Sequence, residues 1–293
     1  MSSTTETQTV PAPASSSSLS LTASASGPAA PSENNLPKVQ KVPVFTDKLE
    51  ERAWAKAQMA AAFRVFAKLG YCDGVAGHMS LRDPVDPKLF WINPYAKHFS
   101  CISVSVLVLV DEEGSIQEPS KYTVNRAGFI IHSMLHQMRP DVNAAVHLHS
   151  PYGRAWSAFG CPIEMLVQDS CYFYNDLSVY EGFGGVVLAK EEGVRLANAL
   201  GPTNKSLILQ NHGILCCGAT VGEAAGLYIA LERACQMQLL VEAAAANGVP
   251  KKYIPQAKAE YSKKYDYTPE NTYMSFQPEY EAILAETNGA FLK

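Results

Sequence analysis

The chain has least freedom over residues 143–151, which read Asn-Ala-Ala-Val-His-Leu-His-Ser-Pro. The apolar run is short and ends on Pro151, a residue suited to the first position of a helix and not to the interior of a strand, with Ser150 placed to cap that helix. A strand has to give way to a helix at this point. Side chains alternate along a strand, so His147 and His149 point the same way. Two imidazoles on one side of a strand end can share a metal ion.

A third histidine stands in a comparable place. Ser206 to Leu209 reads as a buried strand, Gln210-Asn211-His212-Gly213 interrupts it, and Ile214 to Cys217 continues in apolar character. Three neutral imidazoles suit Zn²⁺, with a fourth position open to substrate or water. At this level the residues also fit two packed histidines and a turn residue.

The surrounding pattern alternates helices and strands without the regularity of a doubly wound sheet, and no G-x-G-x-x-G opens a helix. Asp47 with Glu50 starts a helix that Gly70 closes, its aromatic stripe (Trp54, Phe63, Phe66) facing the core. Residues 74–80 and 89–93 predict a hairpin, and 104–110 a third strand. A helix follows from Asn125 to Arg139, with His132 and His136 one turn apart. Residues 151–159 predict a short helix, 185–188 a strand, 191–200 a helix, and Thr220 with Glu223 caps a long helix through Ala246. Residues 167–174 mix polar and aromatic side chains, and the last ~40 residues are expected to be an extension ending in a weak helix. The pattern predicts a layered α/β domain with a mainly antiparallel sheet over residues 41–293.

Residues 1–40 stand apart. Ser, Thr, Ala and Pro dominate, and no Lys or Arg precedes Lys38, which predicts a disordered tail without the features of a signal peptide or presequence. With 293 residues and 47% hydrophobic content the chain can bury a sizeable core. A net charge of −4 without a basic run argues against a nucleic-acid partner, and no apolar segment is long enough to span a membrane. Seven scattered cysteines fit a reducing, cytoplasmic location.

The segments Gly77-His78-Met79-Ser80, Asn125-Arg126-Ala127-Gly128-Phe129 with His132, Arg139-Pro140-Asp141-Val142, His147-Leu148-His149 and Asn211-His212-Gly213-Ile214 together resemble the class II aldolase/adducin family. The resemblance covers roughly residues 50–245. It implies a three-layer α/β/α domain around a nine-stranded, mainly antiparallel sheet, a homotetramer with sites between subunits, and His147, His149 and His212 as ligands of a divalent metal.

The chain also departs from that pattern. Sugar-phosphate aldolases of the family carry an acid/base glutamate four residues before the histidine that resembles His132; here Gly128 stands there. Where phosphate-binding members offer Asn after a Gly-rich turn and then a Thr-Gly loop, this chain has His78 after Gly77, and Asn93-Pro94-Tyr95. Gly77, His78, Asn93 and Tyr95 are therefore candidate contacts for a small-molecule substrate that is not a sugar phosphate.

The resulting expectation is a metal-dependent lyase acting on a carbonyl or 2-oxo acid, by aldol-type cleavage or decarboxylation, with zinc or Fe(II) as the metal and His132, Asp169, Tyr172 or Tyr174 as proton donor. A non-haem Fe(II) oxygenase or an isomerase or cyclase on the same histidines are alternatives, and so is an adducin-like scaffold without catalysis. Tyr265, Tyr267, Tyr273 and 276–278 are candidates either to close over the site or to pack on the surface.

Overall fold

A computed structural model of the chain describes residues 41–182 and 190–293; the expectations for residues 1–40 and for a strand at 185–188 lie outside the described residues. Asp47 caps α1 (Lys48–Lys68) by accepting from the Leu49 amide, and Ala55, Met59, Phe63 and Phe66 of this helix are buried. The predicted hairpin forms from β1 (His78–Arg82) and β2 (Phe90–Ile92), paired antiparallel with Ser80 opposite Ile92.

Residues 104–110 do not form one strand. Ser105 is bonded through its amide and hydroxyl to the carbonyl of Lys293, and Val104–Val106 make a 3-10 turn. Only β3 (Val108–Val110) pairs with β2. Asn125 caps α2 (Arg126–Met138) through the Gly128 amide, and β4 (Ala144–Leu148) leads into α3 (Pro151–Ser157). Residues 168–173 form a 3-10 turn, followed by a strand the pattern did not announce, β5 (Leu177–Tyr180). After α4 (Lys190–Leu200), β6 (Ser206–Leu209) and β7 (Gly213–Gly218) make a hairpin, and α5 (Val221–Ala245) follows, capped by Thr220.

The C-terminal segment is more ordered than expected. It holds two helices, α6 (Gln256–Tyr265) and α7 (Pro269–Thr287); Thr268 caps α7, Pro269 occupies its first turn, and Asn288 ends it in the left-handed conformation. Tyr273, Phe276 and Ile283 of α7 are buried.

Among the described residues the strands form one sheet in the order β3-β2-β1-β4-β7-β6-β5, with seven strands where the resemblance implied nine. All neighbours are antiparallel except β5 and β6. The two faces separate by alternation. Met79, Leu81, Val146, Leu148, Ile214 and Cys216 pack with α1 and α5, whereas Ala145, Leu207, Leu215 and Cys217 pack with residues of α2 and α4. The result is a three-layer α/β/α sandwich with β1, β4 and β7 at its centre, and no described helix is long and apolar enough to cross a membrane.

Candidate metal centre

His147 lies on the last turn of pleat in β4. Its neighbours Val146 and Leu148 face α5, so its own side chain faces α2. It sits opposite His78 on β1 and Leu215 on β7. Its Nδ1 lies 2.9 Å from the Ile214 carbonyl, which can only accept; Nδ1 therefore carries the hydrogen and Nε2 is left with a lone pair. His149 follows just beyond the strand end. His212 stands at the tip of the β6–β7 turn, where Asn211 takes φ of 59° and Gly213 φ of 151°. A Cβ on Gly213 would lie 3.2 Å from the Leu148 carbonyl, so glycine lets the turn close onto β4.

These local constraints bring the three histidines together. One potential ligand nitrogen from each lies within 4.8 Å of the others, and the Nε2 atoms of His149 and His212 are 3.1 Å apart. Burial holds His147 well below the usual imidazole range, with His212 and His78 adding repulsion. Burial and the neighbouring His149 lower His212 to about 4, and burial followed by Arg154 lowers His149. The cluster is thus neutral at physiological pH, the state a metal ligand requires. The donor set fits a divalent ion such as Zn²⁺ or Fe²⁺.

The corner that presents His149 is held from α5. Ser150 occupies the N-cap position of α3 without making the expected side-chain cap. Its hydroxyl donates instead to Glu232 at 2.5 Å, and Glu232 accepts from the amides of Tyr152 and Gly153 at 2.7 and 2.6 Å. Tyr228 donates to the Leu148 carbonyl at 2.9 Å. A buried carboxylate therefore takes over the capping that the sequence pattern assigned to Ser150.

The three histidines open on a cavity of about 720 Å³, bordered by Gly77, His78, Tyr95, Arg126, Gly128 and Arg154. Gly77, with φ of 92°, is packed so closely on Leu148 that a Cβ would come within 2.9 Å of its side chain. Tyr95 is 45% exposed at the rim. Other predicted residues fall elsewhere. Asn93 does not line the cavity: its side chain accepts from the Met79 amide and donates to the Gly77 carbonyl, bracing β1. His132 is fully buried behind His78. Asp169 and Tyr172 line a different cavity with Arg233 and Glu279, and Tyr174 packs with Cys171 and Ala259. Tyr267 stacks on Tyr172 at 3.9 Å between ring centres, while Tyr273 and Phe276 enter the core. None of these C-terminal aromatics borders the histidine cavity.

Two features escaped the sequence reading. Glu232 is distant in sequence and carries no local signal. Ser80, by contrast, had a local signal that would have found it: alternation in β1 puts it on the same face as His78, toward the helix bearing His132 and His136.

Residues 57–239 match the model of the class II aldolase and adducin N-terminal domain. Decarboxylase NovR of Streptomyces niveus is 40% identical over 244 residues, 83% of this chain and 88% of that protein. The 4-hydroxy-3-prenylphenylpyruvate oxygenase/4-hydroxy-3-prenylbenzoate synthase of Streptomyces roseochromogenus subsp. oscitans is 39% identical, over 83% of this chain and 86% of its own length. Among solved structures, L-fuculose 1-phosphate aldolase from Glaciozyma antarctica PI12 superposes with a TM-score of 0.79 at 37% identity, covering 86% of this chain and 97% of that one.

Proposed function

The chain belongs to the class II aldolase and adducin family, and on that premise we propose that it is a metal-dependent lyase acting on a carbonyl or 2-oxo acid compound outside the sugar phosphates. The observation that carries this reading is the meeting of three neutral imidazoles at the wall of one cavity. His147, His149 and His212 would hold the ion, with zinc matched by three nitrogen ligands and an open position. When bound, such an ion supplies Lewis-acid polarisation of a substrate carbonyl.

The chain supplies the rest. The Ile214 carbonyl orients the His147 ring, and the Glu232 network fixes the corner that carries His149. Arg126 and Arg154 at the cavity border suit the carboxylate of a 2-oxo acid, although Arg154 is shared with Asp73 at 2.8 Å. Gly128 leaves the cavity without a carboxylate beside the histidines, which favours loss of CO₂ over a reaction that begins by removing a proton from carbon. The names of the two Streptomyces relatives, one a decarboxylase and one an enzyme of a prenylated arylpyruvate, agree with this class. An Fe(II) oxygenase on the same three histidines is the second reading, favoured by the oxygenase in the latter name. Family membership also leads us to a homotetramer, and the seven unpaired cysteines to a reducing, cytoplasmic location.

The test is metal analysis coupled to turnover. Purified protein is expected to carry close to one metal per chain, and His149→Ala, which removes one of three protein ligands, far less. Zinc with oxygen-independent carbon–carbon cleavage of a 2-oxo acid that carries a carboxylate or a hydroxylated carbon at position 4, so that the electrons of the broken bond pass toward the ketone as an enolate, supports the lyase, whereas iron with oxygen uptake on an arylpyruvate transfers the conclusion to the oxygenase. Protein that stays metal-free after incubation with Zn²⁺ and Fe²⁺ would overturn both.

A further inference from the structure

A continuous line of hydrogen bonds runs from the core to the cavity, and its direction is forced. It begins at the Val142 carbonyl, 3.0 Å from His136 Nδ1. A carbonyl only accepts, so Nδ1 of His136 carries a hydrogen. Burial, with the Arg82 guanidinium nearby, holds His136 down to about 3, so the ring is neutral and its Nε2 is a bare acceptor. The Ser80 hydroxyl, 2.7 Å from that Nε2, must donate to it. Ser80 has one hydrogen, so toward His132 Nδ1, also at 2.7 Å, it can only accept. His132 is therefore an Nδ1–H tautomer, and its Nε2 accepts from His78 Nδ1 at 2.7 Å. The rings of His78 and His132 are buried, and the hydrogen-bond partners that fix the line are Ser80 and one another, with no carboxylate among them to favour a charged imidazole. Running the line backwards would set two acceptors against each other at Val142.

The far end of the line emerges in the cavity wall. His78 borders the cavity, and among the described residues its ring is hydrogen-bonded through Nδ1 to His132, with no bond found at Nε2. That edge of the ring lies over Gly128 so closely that a Cβ there would stand 2.2 Å from Nε2. Glycine at 128 is thus the condition for His78 to reach the cavity while still bonded to His132.

We propose that this line fixes His78 as its Nδ1–H tautomer and keeps a bare Nε2 acceptor in the cavity wall, a specific partner for a substrate O–H and a repellent for an anionic oxygen. His78 is then a specificity residue, and Ser80, His132 and His136 are positioning residues. The substrate half of this inference rests on the lyase reading, which puts a carbonyl at the three histidines. The tautomer half does not.

The tautomers are read on the full chain without metal, labelled with ¹⁵N-histidine, at neutral pH. Protonated Nδ1 and unprotonated Nε2 are expected at His78, His132 and His136, and Ser80→Ala is expected to turn His78 into a mixture of tautomers. A protonated Nε2 on wild-type His78, or no change in Ser80→Ala, would refute the relay. A second measurement is thermal. Gly128→Ala should lower the melting temperature in wild type and have little further effect in His78→Ala; additive losses would show that the two do not share the space. Substrate selectivity is read by calorimetric titration of zinc-loaded protein with hydroxypyruvate and pyruvate. About a tenfold preference for the hydroxylated acid is expected, the size of one hydrogen bond to a buried acceptor. His78→Phe should lose that preference while still binding zinc. Equal affinities in wild type, or loss of zinc from His78→Phe, would overturn the proposal. Failure of wild type to bind zinc or iron would instead remove the lyase reading and leave the tautomer result standing.

Discussion

Single residues decide whether the candidate centre is assembled, and Glu232 shows how far from the ligands such a residue can sit. Its carboxylate is 1% exposed and accepts from the Ser150 hydroxyl and the amides of Tyr152 and Gly153. Replacing it by alanine orphans the Tyr152 and Gly153 amides at the start of α3, while the Ser150 hydroxyl keeps the Tyr228 hydroxyl at 2.8 Å as a partner, and leaves a cavity beside Gly153. We expect Glu232→Ala to cost about 3 kcal/mol in urea denaturation, summing the modest penalty of each unpaired donor. Zinc affinity should fall as well, because the corner carrying His149 loosens while the ligand itself is intact. Unchanged zinc affinity in a destabilised but folded variant would detach the corner from the centre. Nothing near Glu232 in the sequence announces this role, since the partner lies some eighty residues away in the chain. The three histidines were legible because H-x-H on a strand and a histidine at a strand break are local patterns.

At the scale of elements, α2 ties its packing against β1 to the charge state of its histidines. His132 and His136 both face β1, and His136 is enclosed by Ser80, Phe90, the Val142 carbonyl and the Arg82 guanidinium. In the unfolded chain His136 titrates near the ordinary value of about 6.5, whereas in the fold it is held to about 3. Protons therefore bind the unfolded state first. The stability this group contributes is complete above about pH 6.5 and is lost as the pH falls toward 3, at about 1.4 kcal/mol per pH unit for one such histidine. Urea denaturation at pH 7, 6 and 5 should show the loss, and His136→Gln, though less stable at pH 7, should show a shallower slope; equal slopes would contradict it. This helix, like α1 and α5, was legible from its cap and its apolar period. Where the sequence pattern misled, the cause was tertiary. Val104 to Val106 have strand propensity, but the Lys293 carbonyl occupies the Ser105 amide and hydroxyl, and β5 is a short, half-buried edge strand recognisable only by its parallel pairing to β6.

At the scale of the molecule, two large apolar side chains among the described residues are available to a partner subunit. Phe159, just after α3, is 63% exposed, and Leu240 on α5 is 59% exposed. Phe159 stacks on Trp156 next to the corner that carries His149, so an interface there would adjoin the cavity. Such side chains are covered economically when identical subunits pack around symmetry axes. A homotetramer of a 31.8 kDa chain is the expected species in sedimentation or light scattering. Residues 1–40 have the composition of a segment unable to offset its own chain entropy, so deleting them should leave both the mass of the assembly and its melting temperature unchanged. Phe159→Glu and Leu240→Glu should each shift the population toward smaller species without loss of helical circular dichroism, because neither side chain is part of the core. Zinc content should persist in those smaller species, since all three candidate ligands come from one chain. A wild-type protein that is monomeric at micromolar concentration would remove the tetramer, and with it any role for a neighbouring subunit at the cavity.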